Sequence, residues 1–342
     1  MKKISKLEDS TVFWEIAAEY LNHYLPDIRR LSHNTISTYR TSLNCFIDYL
    51  EAEKGKKRQK IAFRDCNRDS LKDYIEWMSM VKNLAPKTCN LRITAIRALL
   101  DYGSQECMDL TPVYVSSSTL RGLNTSVVPI EYFNSQELSA FFKAPSTNKK
   151  TGRRNQMMLI LGYDAALRVG ELVSLKVNHL HLDVTVPYIS IPGKGAKYRN
   201  VPIMNKTVAH LKQHLSEFHS GKYNNYPLFY ATTHGIIHGL SEDTVEAFLK
   251  KYTNTCQELG IHMPEHVHFH MFRKTRAMNL YQQGVPLAHI QQMLGHECIS
   301  TTSGFYAFAT LDTLAKSLEK VNPTTEDKIW KNNDVMKKLY RL

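Results

Sequence analysis

One C-terminal stretch of this chain holds two imidazoles, a guanidinium and a phenol: His270-Met271-Phe272-Arg273, then Leu294-Gly295-His296, then Tyr306. A guanidinium grips the non-bridging oxygens of a phosphate as a bidentate fork, imidazoles move protons near neutral pH, and a tyrosine hydroxyl can become bonded to phosphorus. Together they suit attack on a phosphodiester without a metal. Further upstream, Arg168 follows an apolar run in Ala166-Leu167-Arg168-Val169-Gly170-Glu171-Leu172. Gly193-Lys194-Gly195-Ala196-Lys197 sets a lysine between two strand-like segments.

The order of these groups resembles the tyrosine recombinase family, which includes the phage and transposon integrases. That family's pattern is an arginine in A-L-R-x-x-E-L, a lysine in a β-hairpin, H-x-x-R, L-G-H, and a tyrosine about one helix later. The matching residues are Arg168, Lys194, His270 with Arg273, His296 and Tyr306. Val201-Pro202-Ile203, Pro227-Leu228-Phe229 and Gln291-Gln292-Met293 look alike as well, so the resemblance runs from about Ser135 to Tyr306, with a weaker continuation over Thr11 to Tyr102. Lys274 stands where a histidine is often found after the second arginine.

The resemblance implies a reaction. Phosphodiesters repel a nucleophile, and the transition state adds charge to the phosphoryl oxygens, so fixed cationic donors assist both steps. Arg168 and Arg273 are assigned to the two non-bridging oxygens, and Tyr306 to in-line attack that leaves a 3′-phosphotyrosyl link and a free 5′-hydroxyl. Lys194 is the general acid for the leaving oxygen, because arginine holds its protons too tightly to release one. Lys197 competes for that role but matches the family less well. His270 accepts or shares the tyrosine proton, and His296 donates to the developing charge. No cofactor and no metal are expected. His262, His266, His268 and His270 could suggest a metal hydrolase, but no carboxylate or cysteine completes a familiar ligand spacing. A type IB topoisomerase, or a DNA-binding relative without activity, is the alternative.

Composition agrees with a polyanionic partner. Lys plus Arg number 44 against 32 Asp plus Glu, a net charge of +12, which favours double-stranded DNA. At 342 residues and 43% hydrophobic content, the chain is long and apolar enough for two cored domains. The six cysteines form no C-x-x-C pair and read as reduced thiols. The basic start Met1-Lys2-Lys3 is followed by no apolar stretch, and no run of eighteen apolar residues occurs. A cytoplasmic protein with no membrane partner is expected.

The elements that must position these groups are mainly helical. The fold class expected is mainly α (α+β), with a helical N-terminal domain over 1–106, a linker over 107–133, a mostly helical catalytic domain with a small β-sheet over 134–322, and a tail over 323–342. Ser32 caps a helix over about Asn34 to Glu51, with Ile36, Tyr39, Leu43, Phe46, Ile47 and Leu50 at helical spacing. Another helix covers about Ser70 to Val81, and a third starts at Pro86 and reaches about Tyr102. On that third helix Lys87, Asn90, Thr94, Arg97 and Asp101 share a polar face. Helical patterning stops from about Cys107 to Tyr132, and Asn134-Ser135-Gln136-Glu137 opens the next domain as a capped start. Asn155 to Leu167 reads as an apolar helix ending at Arg168, and Leu182 to Ile191 and Tyr198 to Ile203 as strands joined at Lys194.

In the family the N-terminal bundle is a core-binding domain that clamps the duplex, so Lys87, Asn90 and Arg97 are candidate DNA contacts. Arg153 and Arg154, in the basic run that starts at Lys149, belong either to a solvated loop or to a phosphate contact. The family also acts as a homo-tetramer on two DNA sites and commonly passes a C-terminal segment to a neighbouring protomer. Ile329, Trp330, Val335, Met336 and Leu339 are the apolar content available for such a contact.

Overall fold

The computed structural model describes residues 5–125, 131–193, 198–220 and 225–295. Two compact units divide the chain, 1–128 and 129–342.

The first unit is helical because its apolar residues recur at helical spacing and its helix starts carry capping side chains. Helix α1 (Ser10–Glu19) begins at Asp9, whose carboxylate accepts from the Thr11 N–H, and runs into a π-helical segment, Tyr20–Ile28. Helix α2 (His33–Ala52) starts as expected: the Ser32 hydroxyl accepts from the Thr35 N–H. Helix α3 (Arg68–Met80) is capped by Asn67, and α4 (Pro86–Glu106) has proline in its first turn. Phe46, Tyr49 and Tyr74 are buried where α2 meets α3, with Trp77 packed on Tyr49 and Tyr74 and ring centroids 5.0 to 6.2 Å apart. Each such ring removes a large apolar area from water, and edge-to-face contacts add to that.

The stretch after Cys107 differs from the irregular linker that the sequence suggests. A short 3₁₀ turn, Met108–Leu110, leads into helix α5 (Thr111–Ser118), which packs on α4. Its serine-rich, β-branched composition hid it, since those residues have weak helix propensity in isolation. Tertiary packing supplies what propensity lacks: Ser117 is buried, and Arg97 of α4 donates to its carbonyl at 3.1 Å.

The second unit opens with α6 (Ser135–Lys143), whose start is the expected capping box: Asn134 accepts from the Glu137 N–H and Glu137 from the Asn134 N–H. Two nearly enclosed helices form its centre, α7 (Lys150–Asp164) and α11 (His270–Gln282). Helix α8 (Val169–Ser174) follows α7. An antiparallel sheet in the order β1-β2-β3 comes next, from Leu180–His181, Tyr188–Pro192 and Tyr198–Pro202. Ile189, Ile191 and Val201 are fully buried, as period-two patterning requires, and Ile191 pairs with Arg199. Of the strand expected over Leu182 to Ile191, only 188–191 forms, within β2, because residues 182–187 bend between β1 and β2. Helix α9 (Asn205–Phe218), a hairpin of β4 (Tyr230–Thr233) and β5 (Ile236–Gly239), and α10 (Glu242–Glu258) lead to α11 and to α12 (Leu287–Leu294).

Candidate active site

The apolar run expected to carry Arg168 at its end stops earlier. Helix α7 closes at Asp164, and the chain turns with the Leu167 N–H bonded to the Gly162 carbonyl and the Ala166 N–H to that of Tyr163. This is the paired-bond helix stop in which glycine usually takes the left-handed position. Here Ala166 takes it, at φ 50°. Its methyl is fully buried among Ala277, Ile290 and Leu294. That burial offsets the strain, which is about 1 kcal/mol for a non-glycine residue. Arg168 then becomes the N-cap of α8, so a turn and not a helix end aims its side chain.

Around Arg168 the charges form a chain. Its Nη1 donates to Glu171 Oε1 at 2.7 Å and its backbone N–H to Oε2 at 2.8 Å. Arg199 of β3 meets the same carboxylate as a fork, Nη1 to Oε1 at 2.7 Å and Nη2 to Oε2 at 2.8 Å. Burial alone would raise the Glu171 carboxyl, but the hydrogen bonds from Arg199 and from the Arg168 backbone outweigh it and hold the group at about 2. Glu171 is therefore a fixed anion at every physiological pH.

Arg273, one turn along α11 from His270, is 2% exposed. It donates through Nη1 to the Ala166 carbonyl at 2.8 Å and through Nη2 to the Leu294 carbonyl. These carbonyls lie two residues before Arg168 and two before His296, so one guanidinium ties both flanking segments together. His270 begins α11, where the unpaired N–H groups favour a neutral ring. Burial, followed by the charges of Arg273 and Lys274, lowers its imidazole to about 4. At neutral pH the ring is uncharged.

Helix α12 ends on Gly295 at φ 61°, and a Cβ there would lie 2.9 Å from Arg199 Cδ. The glycine of Leu294-Gly295-His296 thus answers both a left-handed backbone and a close approach by Arg199. Lys194, His296 and Tyr306 lie outside the described residues, as does the tail from 323.

The candidate DNA contacts fall into different settings. Lys87 is exposed. Asn90 instead pairs with the backbone of Leu123, donating to its carbonyl at 2.9 Å and accepting its N–H at 2.8 Å. Arg97 donates to the carbonyls of Ser117 and Leu120. On the polar face expected on α4, Asn90 and Arg97 therefore seat α5 and the chain after it, and Gly122 leaves room for Asn90. Arg153 forks onto Glu217 and donates to the Thr147 carbonyl at 2.6 Å, while Arg154 reaches Asn155 and the Tyr230 carbonyl. Both belong to the first turn of α7 and not to a loop. Among the described residues no group of three or more His, Cys, Asp or Glu could hold a metal ion, and no helix is long and apolar enough to cross a membrane.

Residues 131–310, more than half of the chain, match the phage integrase family, and residues 18–106 match the N-terminal SAM-like domain of phage integrases. The chain belongs to the phage integrase family. The recombinase is 26% identical over 296 residues to the putative integrase/recombinase y4rC of Sinorhizobium fredii, covering 86% of this chain and 87% of that one. It is 29% identical over 287 residues to the tyrosine recombinase XerD of Listeria monocytogenes, covering 82% and 90%. In fold it is similar to the XerH site-specific recombinase in a post-cleavage complex with palindromic difH, at TM-score 0.65 and 20% identity over 93% of this chain and 90% of that one. The Tn1549 transposon integrase, in complex with a circular intermediate DNA, gives TM-score 0.65 at 16% identity over 88% and 98%. The recombinase reading therefore stands over the topoisomerase alternative. The mainly α fold with a small sheet agrees with the expected class.

Sequence reasoning passed over Arg199, Ala166 and Gly162. For Arg199 a signal existed: in β3 it shares a face with Val201, and a charge on an inward strand face calls for a buried partner.

Proposed function

We propose that this tyrosine-type site-specific recombinase acts on double-stranded DNA by breaking one strand through a phosphotyrosyl intermediate and rejoining it to another. The observation that carries the reading is Arg273, which joins the turn before Arg168 to the end of α12 before His296, with His270 one turn away. Arg168 and Arg273 take the non-bridging oxygens of the scissile phosphate. The neutral His270 receives the Tyr306 proton as its oxygen bonds to phosphorus, and the 5′-oxygen leaves with a proton from Lys194 while His296 donates to the phosphoryl oxygens. The ester keeps the energy of the broken bond, so an incoming 5′-hydroxyl reverses the step without ATP, metal or cofactor.

Residues 1–106 serve as the core-binding domain, 107–133 as the connection, whose first part folds as α5 onto α4, 134–322 as the catalytic domain and 323–342 as a contact between protomers of a DNA-bound tetramer. Lys87 is the exposed candidate for a phosphate contact. Asn90, Arg97, Arg153 and Arg154 reach DNA only through what their internal hydrogen bonds leave available. A cytoplasmic location accords with this role.

A nicked suicide substrate, from which the 5′ fragment diffuses away after cleavage, should trap a denaturation-resistant adduct that Tyr306→Phe cannot form, with equal yield in EDTA. An adduct of undiminished yield in that variant would remove Tyr306 as the nucleophile, and loss of the adduct in EDTA would point to a metal.

A further inference from the structure

Arg199 touches both the Glu171 carboxylate and the end of α12. Besides its fork onto Glu171, it donates from Nε to the Met293 carbonyl at 3.2 Å. Its aliphatic stem runs against Gly295, where a Cβ would come within 2.9 Å. The side chain is 18% exposed, and Glu171 13%. Three donors of a planar guanidinium are thus spent on two segments that flank the chemistry, and lysine could not reproduce the fork.

We propose that Arg199 is a positioning residue for strand cleavage, which aims Arg168 by holding Glu171 as its fixed counter-anion. This rests on the assignment of Arg168 to the scissile phosphate. Glu171 meets Arg168 through both oxygens, one on its side chain and the other on its backbone N–H. Arg199 binds the same two oxygens at once, so the carboxylate is held between the two arginines. Its strand is anchored under the sheet by Val201, so the fork has a rigid base. Misplacing a catalytic group by about an ångström costs about 100-fold in rate, and that is the effect available to Arg199.

Single-turnover cleavage of the suicide substrate, half-site binding and thermal unfolding should be measured for full-length R199M, R199K, E171Q, R199M/E171Q and R168A. R199M should cleave about 100-fold more slowly with half-site affinity nearly unchanged, and R199K should recover only a small part of the rate. Because Arg199 acts through Glu171, the double variant should be little slower than E171Q alone, a non-additivity that general loosening of the fold would not produce. Fully additive losses, or a wild-type rate in R199M beside an inactive R168A, would overturn the proposal. A wild-type rate in R168A would instead overturn the assignment on which it rests. If R199M unfolds at the assay temperature, R199K and the E171Q comparison at lower temperature decide the matter by the same criteria.

Discussion

Arg168 and Arg273 are both arginines of one motif set, yet the fold treats them differently. Arg168 is 44% exposed and its ion pair with Glu171 is open to water, whereas Arg273 is buried on two carbonyls. Removing Arg168 should therefore change stability by less than about 1 kcal/mol. Removing Arg273 strands buried acceptors at a cost of about 1 to 3 kcal/mol each. Chemical denaturation of R168A and R273A should separate them in that order, and equal stabilities would show that Arg273 does not hold the two segments together. His270 supplies a second test at this scale. Its ring sits at about 4 in the folded chain against an ordinary 6.5, so between those values the unfolded chain binds more protons and stability falls as pH drops. His214, also held near 4 by burial, gives the same sign. His270→Asn should flatten the loss between pH 6.5 and 4 relative to the parent, leaving the His214 share. An unchanged slope in urea unfolding would place the His270 ring in water.

The helices position these groups through glycines as much as through apolar side chains. Gly162, inside α7, faces the Phe269 ring, and a Cβ there would lie 2.2 Å from Cζ. Alanine in a helix interior ordinarily gains about 1 kcal/mol over glycine, but forcing a methyl against a fully buried ring costs about 1 to 3 kcal/mol. The second effect should win. Gly162→Ala should lower the melting temperature, and because Phe269 immediately precedes His270, it should slow cleavage as well. A melting temperature at or above the parent's would mean that the two helices have slack. Helix α4 carries a related lesson: Asn90 and Arg97 look like a binding surface in sequence, whereas in the fold they moor the chain from 117 to 123.

At the scale of the molecule, each unit holds a separate buried core, one built on the aromatic rings of α2 and α3 and one around α7 and α11. Polypeptides covering 1–128 and 129–342 should each unfold cooperatively when produced alone, as seen by circular dichroism, since domains with their own cores fold alone. The 1–128 piece should bind DNA with a shallower dependence on salt than the whole chain, because it neutralises fewer phosphates. A non-cooperative 1–128 fragment would mean that its core needs the rest of the chain.

The helical class, the caps at Ser32 and Asn134, the first turn at Pro86 and the strands on either side of Lys194 were legible in the sequence, because they depend on periodicity and on side chains acting within a few residues of their own backbone. Residue type and order singled out the groups suited to phosphodiester chemistry. What only the tertiary structure decided were contacts between residues far apart in the chain. Arg273 on the carbonyls of Ala166 and Leu294, Arg199 on Glu171, Asn90 on Leu123 and the packing of α5 all belong to that class. A carbonyl, a left-handed alanine or a serine-rich helix has no distinctive letter, and its stability comes from partners that are brought near only when the core closes.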